Sequence, residues 1–281
     1  MPDSPQQTNA LSELTGGSKM PLVGLGTWPM VGEQAREIVA TAIDAGYRSI
    51  DTSEQYGNEG AVGRGVRESG IPREEIFVTT KFNAKWHGEE LVGQALSGSL
   101  ERLGLDYVDL FLIHWPNPWQ GRYVQAWEGM LRLRDEGLVR AIGVSNFLPS
   151  HIDRLLEATS VAPEVNQIEL DPTLPRREWR AYHERHGILT EAWSPLGRGG
   201  DLLADPIVLE LAAQHGKSAA QVVLRWHVEI GAAFVARSTS PQRVAQNIDL
   251  FDFELGEDGL RRLAAVDRGR APARDPETHG H

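Results

Sequence analysis

Three apolar runs of the chain each hand over to an ionisable residue at their C-terminal end. Tyr47 to Ile50 runs into Asp51, with Tyr56 five residues further on; Ile76 to Thr80 runs into Lys81; Tyr107 to Ile113 runs into His114. A phenol is a poor acid near neutrality, with an ordinary pKa of about 10. Burial alone weakens it further, whereas a neighbouring ammonium favours the phenolate, and Lys81 can supply one. A lone buried lysine would shed its proton, so it needs an anion, and Asp51 can keep it charged. Asp51, Lys81 and Tyr56 therefore make a coherent proton-donor relay, and His114 can hydrogen-bond the same substrate oxygen. Such a group suits a carbonyl oxygen that becomes an alkoxide and must be protonated. The carbonyl carbon then needs a hydride, which no side chain supplies, so a nicotinamide cofactor is implied.

Residues that far apart meet only if the chain returns them to one rim. The pattern alternates short apolar runs with amphipathic stretches at a spacing of roughly 25 to 35 residues, as repeated βα units do. The apolar runs fall at Val23–Thr27, Ser49–Ser53, Ile76–Lys81, Tyr107–His114, Val139–Val144, Glu164–Ile168, Ile188–Trp193 and Ala233–Ala236. Helical patterns follow each, commonly closed by glycine (Gly46, Gly70, Gly104, Gly137, Gly187), the residue that tolerates a left-handed cap. Eight such units predict a single α/β domain over 1–281, a (β/α)8 TIM barrel. A Gly-Gly turn between Leu14 and Met20 predicts an N-terminal hairpin, and a further helix and tail close the C-terminal end. Residues 1–10 and 268–281 are expected to be flexible or loop. A doubly wound dinucleotide fold would want Gly-x-Gly-x-x-Gly after the first strand, and that spacing is absent.

Composition excludes several other functions. With a formal net charge of −11 over 281 residues, the surface does not suit nucleic acid or an anionic membrane. No apolar stretch approaches the roughly 20 residues of a membrane span. Met1 to Thr8 lacks the basic-then-apolar order of a signal peptide, and there is no cysteine, so a cytoplasmic protein is expected. His183-Glu184-Arg185-His186 lacks the spacing of a zinc helix, and no metal is assigned.

An acidic protein that binds a phosphate needs a local basic island. Gly231 to Ile248 contains no carboxylate and carries Arg237 and Arg243. Ser240-Pro241 reads as the cap and first residue of a helix, which brings free backbone N–H groups to the same place. That suits a phosphate monoester such as the 2′-phosphate of NADP, with Arg243 bonding it bidentately. Trp193, at a strand end, offers a flat face for a nicotinamide, and Ser145, Asn146 and Gln167 end neighbouring strands with groups that match a carboxamide. Gly26 and Thr27 close a strand glycine-rich enough for a ligand to approach the backbone.

Taken together, GYRSIDTSEQYGNE, TTKF, SLERLGLDYVDLFLIHWP, AIGVSNF, NQIELDP, EAWSPLGRG and ARSTSPQRVAQN occur in that order between residues 22 and 255. They resemble the aldo-keto reductases, particularly the bacterial 2,5-diketo-gluconate-reductase-like branch. The resemblance implies NADPH-dependent reduction of aldehydes and ketones by a monomer, with Asp51, Tyr56, Lys81 and His114 as the catalytic tetrad and Tyr56 as the acid. It places Ser145, Asn146, Gln167 and Trp193 on the nicotinamide side, and Ser194, Leu196 and Arg198 beside the pyrophosphate, with Gly26, Thr27, Trp28 and Asp51 as further expected cofactor contacts. Ala220, Val235, Arg237, Ser238, Thr239, Arg243, Gln246 and Asn247 match the adenosine-phosphate end. Trp28 and Trp115, with Tyr56 and His114, match the substrate pocket. The chain departs from the family at Val235-Ala236-Arg237-Ser238, where Ile-Pro-Lys-Ser is usual, at Gln246 in place of a frequent glutamate, and at Asn83 in place of a tryptophan.

Two other functions fit parts of the pattern. A Schiff-base aldolase would use Lys81 as nucleophile, but it needs a lysine of depressed pKa, which Asp51 opposes. A redox-sensing binding module would need an appended interaction domain or an exposed apolar patch, and neither is visible.

Overall fold

A computed structural model describes residues 10–281, so the expectation for residues 1–9 lies outside the described residues. Eight parallel strands close into a barrel: β3 (Val23–Gly26), β4 (Ser49–Asp51), β5 (Phe77–Phe82), β6 (Val108–Ile113), β7 (Val139–Ser145), β8 (Val165–Glu169), β9 (Leu189–Trp193) and β10 (Ala233–Ala236). The closing seam pairs Phe234 with Val23 and Ala236 with Leu25. An antiparallel hairpin, β1 (Leu11–Glu13) and β2 (Lys19–Pro21), precedes them. This is the predicted (β/α)8 barrel with its hairpin cap. Every predicted strand is present, with no end moved by more than two residues.

The strands are buried on both faces, as a helix-wrapped parallel sheet requires. The outer ring is α1 (Gly32–Asp44), α2 (Glu59–Glu68), α3 (Leu91–Leu103), α4 (Tyr123–Asp135), α5 (Pro149–Thr159), α6 (Arg177–Arg185), α7 (Pro206–His215) and α8 (Ala219–Glu229), followed by α9 (Pro241–Ile248) and α10 (Gly256–Ala264). In α1 the buried residues are Ala35, Ile38, Val39, Ala42 and Ile43, the three-four spacing of one apolar face. In α2, Gly63 and Gly65 allow unusually close packing: a Cβ on Gly63 would lie 1.8 Å from the carbonyl oxygen of Leu103, and one on Gly65 2.8 Å from that of Arg36.

The hairpin end of the barrel is sealed. Leu14, Met20 and Leu22 pack with Phe77, Leu110, Leu112, Ala141, Val165 and Ala233 in one apolar cluster. Glu164, at the start of β8, ties the hairpin down by accepting hydrogen bonds from the backbone N–H of Gly16 (2.9 Å) and Ile142 (3.2 Å). Nearby, Asp109 is buried and accepts from Arg73, Arg140 and the N–H of Val78. The opposite, C-terminal rim of the strands is left for chemistry.

Three histidines are held neutral by burial: His87, His183 and His227 are each pushed from 6.5 down to about 4. The unfolded chain binds those protons first, so this contribution is complete above about pH 6.5 and is lost as pH falls through 4. Each site accounts for at most about 3 kcal/mol. The urea midpoint is therefore expected to fall steeply between about pH 7 and about pH 4.5. A flat midpoint over that interval would contradict the burial of these rings.

Candidate active site

The four candidate chemical residues converge at that open rim. Asp51 ends β4, Tyr56 closes a 3-10 turn (Glu54–Tyr56) directly after it, Lys81 lies near the end of β5, and His114 follows β6. Ser53 starts the turn by accepting the N–H of Gln55. Asn58 anchors it from the far side, donating to the carbonyls of Thr27 (3.2 Å) and Met30 (2.8 Å) and accepting from Thr52 Oγ1 (2.6 Å). Thr27 is buried and ties its own N–H and hydroxyl to the carbonyl of Asp51.

Lys81 Nζ donates to both oxygens of Asp51, at 2.6 and 2.7 Å, and to the carbonyl of Thr52 at 2.9 Å; the Tyr56 hydroxyl is 3.5 Å away. Burial by itself lowers the lysine's pKa, but the surrounding groups, led by the Asp51 carboxylate, more than reverse this, so Lys81 is raised above its ordinary value and stays charged. That state removes the nucleophilic amine a Schiff-base aldolase needs. For Tyr56 the balance goes the other way. The residue is half-buried, and burial of its hydroxyl raises the phenol above its ordinary value. Lys81 opposes that rise, in the direction expected from sequence, without overcoming it. Tyr56 is accordingly a fully protonated donor at neutral pH.

His114 is pushed well below its ordinary pKa, first by burial and then by Lys81, so it is a neutral imidazole. Its Nδ1 faces Ser53 Oγ at 3.1 Å and His281 Nε2 at 3.3 Å, which leaves Nε2 without a protein partner among the described residues. The ring meets Tyr56 edge-on, with centroids 5.8 Å apart. A neutral imidazole and a protonated phenol thus stand side by side.

The second cluster lies across β7 to β9. Ser145 Oγ donates to the carbonyl of Gln167 (2.9 Å). Asn146, at φ 63, donates to the carbonyl of His114 (3.1 Å) and accepts from Trp193 Nε1 (2.8 Å), so one amide fixes both the histidine and the indole. Trp193 remains half-buried, with the Arg198 guanidinium 6.0 Å from its ring centre. Gln167 Nε2 reaches Asp51 Oδ2 at 2.9 Å, which joins the two clusters directly. Ser194 and Leu196 are half-buried in the loop after β9, whose residues Gly197 and Gly200 also line an open cleft of about 340 Å³ beside Arg268 and Arg270.

The third group is the predicted basic island. Ser240 caps α9 by accepting the N–H of Arg243, and Pro241 is the first residue of the helix. Arg237, Thr239, Arg243 and Gln246 are exposed, Val235, Ser238 and Asn247 are buried, and Ala220 sits half-buried in the first turn of α8. Among the described residues, neither Arg237 nor Arg243 forms an ion pair. Gly26 lies against Val235 across the barrel seam.

Trp28 is 58% exposed, while Trp115 is 5% exposed, because the tail covers it. Residues 268–281 form no helix or strand but fold back over the rim. Arg270 bonds Glu169 (3.0 Å) and Asp171 (2.6 Å), His279 stacks edge-on against Trp115 (4.6 Å between centroids), and the carbonyl of His281 accepts the N–H of Ala84. Asn83 donates to Gln55 (2.6 Å) and Trp86 to Glu54 (2.8 Å), both neighbours of Tyr56 in its turn. Sequence reasoning did not single out His281, Asn58 or Glu191. For Glu191 a signal existed: a carboxylate in the middle of an apolar strand run. No group of three or more potential metal ligands occurs among the described residues, and no helix there is long and apolar enough to cross a membrane.

A closed eight-stranded barrel with an aspartate, tyrosine, lysine and histidine gathered at the C-terminal ends of its strands defines a narrow class of enzyme. Residues 22–268 match the profile described as "Aldo/keto reductase family", and the chain belongs to that family. It is 45% identical over 256 residues to the 2,5-diketo-D-gluconic acid reductase B of Corynebacterium sp. (strain SHS752001), covering 91% of this chain and 92% of the relative. It is 42% identical over 270 residues to the methylglyoxal reductase DkgA of Escherichia coli (strain K12), covering 95% and 97%. Among solved structures, a mutant of Gox0644 in complex with NADPH superposes with a TM-score of 0.92 at 40% identity, covering 96% of this chain and 98% of that one.

Proposed function

We propose that the protein is an NADPH-dependent reductase of small aldehydes and ketones, with Tyr56 as general acid. The observation that carries it is the Lys81 ammonium, pinned on both Asp51 oxygens and 3.5 Å from the Tyr56 hydroxyl, beside a neutral His114. A nicotinamide bound here would supply the hydride. The residues fit such a group: Trp193 is half-buried, and among the described residues the Gln167 side-chain oxygen accepts no hydrogen bond and Arg237 and Arg243, beside a capped helix start, form no ion pair. Tyr56 and His114 Nε2 together hold the substrate oxygen, and Tyr56 passes its proton to that oxygen as negative charge builds there. Lys81 stabilises the phenolate left behind. Ser145, Asn146 and Gln167 orient the carboxamide, and Ser194, Leu196 and Arg198 lie along the pyrophosphate. Ala220, Val235, Ser238, Thr239, Gln246 and Asn247 receive the adenosine end, and Trp28 and Trp115 border the substrate. The relatives' names point to dicarbonyl compounds as the first substrates to try. The absence of cysteine suits a cytoplasmic protein, and the family resemblance suggests a monomer.

The test is a carbonyl panel that includes methylglyoxal and 2,5-diketo-D-gluconate, assayed with NADPH and NADH side by side. Turnover with NADPH supports the proposal, and no cofactor oxidation with any carbonyl overturns it. Arg243→Ala is expected to raise KM for NADPH about 10- to 100-fold while leaving KM for NADH within about twofold, because it removes a charge-assisted contact that only the 2′-phosphate can make. Equal effects on both cofactors would move the phosphate site elsewhere.

A further inference from the structure

Glu191 lies on β9, inside the barrel and 1% exposed, and takes no part in the chemistry above. Its partner on β8 is Gln167 and its partner on β10 is Ala233, so a carboxyl group, an amide and a methyl share one level of the barrel. Gln167 Nε2 donates to Glu191 Oε2 at 2.7 Å and to Asp51 Oδ2 at 2.9 Å. An amide nitrogen carries two hydrogens, and these two carboxyl groups take both. The orientation is forced, because Asp51, ion-paired with Lys81, accepts from the nitrogen end and would repel the oxygen end. Gln167 Oε1 is then the only polar atom of the amide left over, and it accepts no hydrogen bond among the described residues.

A carboxyl group in this place is costly to bury. Burial and the nearby Asp51 push Glu191 up to about 8, so near neutrality it is largely protonated and accepts the amide hydrogen through an oxygen it keeps in either state. An apolar residue would fill the same space without that cost, which leaves its grip on Gln167 as the distinctive contribution of the glutamate.

We propose that Glu191 is a positioning residue for the nicotinamide: by taking the second N–H of Gln167 it stops that amide from turning, and so holds Gln167 Oε1 ready for a carboxamide N–H. The inference rests on the cofactor reading above and adds to it the residue behind Gln167. With Asp51 as sole partner, the amide could rotate about its remaining hydrogen bond and lose direction.

The test compares binding of two molecules by isothermal titration calorimetry: NADPH, and 2′-phospho-ADP-ribose, which has the same phosphates but no nicotinamide. Glu191→Leu is expected to weaken NADPH about tenfold and to leave 2′-phospho-ADP-ribose within about twofold; Glu191→Gln, which keeps an acceptor oxygen, stays within about twofold for both. In a Gln167→Ala background, Glu191→Leu should add less than about a twofold effect, since its route through the amide is gone. A merely structural role would weaken both molecules together, and that result overturns the proposal. So does a Glu191→Leu protein that binds NADPH as the wild type does. Should the leucine variant not fold, Glu191→Ala is read against the same two molecules with the same outcomes. Wild-type protein that binds neither molecule overturns the cofactor reading itself and this inference with it.

Discussion

Tyr56→Phe is expected to lower kcat for carbonyl reduction by about 10²- to 10⁴-fold, the usual worth of a placed proton donor. The substitution removes one oxygen and leaves the ring, its edge contact with His114 and the Lys81–Asp51 pair in place. NADPH binding should therefore change less than about threefold, since the phenol is asked to act on the substrate oxygen and not on the nucleotide. The two measurements together are the check. A variant that turns over carbonyls at the wild-type rate would remove Tyr56 from the chemistry, and one that loses NADPH affinity instead would make the hydroxyl a structural group.

Lys81→Met is expected to cost both activity and stability. The side chain is fully buried and Nζ satisfies both oxygens of Asp51 together with the Thr52 carbonyl. Methionine fills much of the same volume but leaves the Asp51 carboxyl group buried without its cation. Breaking one side of such a pair typically costs about 3–5 kcal/mol. Urea unfolding at neutral pH should show a loss of that size. Turnover should fall at least as far as for Tyr56→Phe, because the phenolate loses the charge that stabilises it. Asp51→Asn combined with Lys81→Met should recover part of the stability and none of the activity. A single Lys81→Met variant as stable as the wild type would show that the pair is not held as the distances indicate.

Most of the barrel can be read from the chain because its periodicity is strong and its helices end on glycines such as Gly46 and Gly104, both at positive φ. The four chemical residues were legible for a related reason. Each ends or follows an apolar run, and parallel strands put such ends on one rim. What escaped was set by long-range packing. Nothing in the local sequence of His279 or His281 says that the tail folds back onto Trp115 and His114, since that path depends on Arg270 finding Glu169 and Asp171 about a hundred positions earlier. Glu191 escaped because alternation along a strand does not say which face a lone carboxylate takes. The net rise at Tyr56 was missed because sequence reveals the presence of a cation but not the depth of the hydroxyl.

The plug that Leu14 and Met20 make at the hairpin end, fastened through Glu164, has a kinetic corollary. With that end closed, the opposite rim is the one that would receive both reactants of the proposed reaction. If the nucleotide's reactive ring rests on Trp193 and Gln167, a carbonyl seated against Tyr56 and His114 blocks its way out. On the proposed function, the nucleotide is then expected to enter first and leave last, an order that product-inhibition patterns would check.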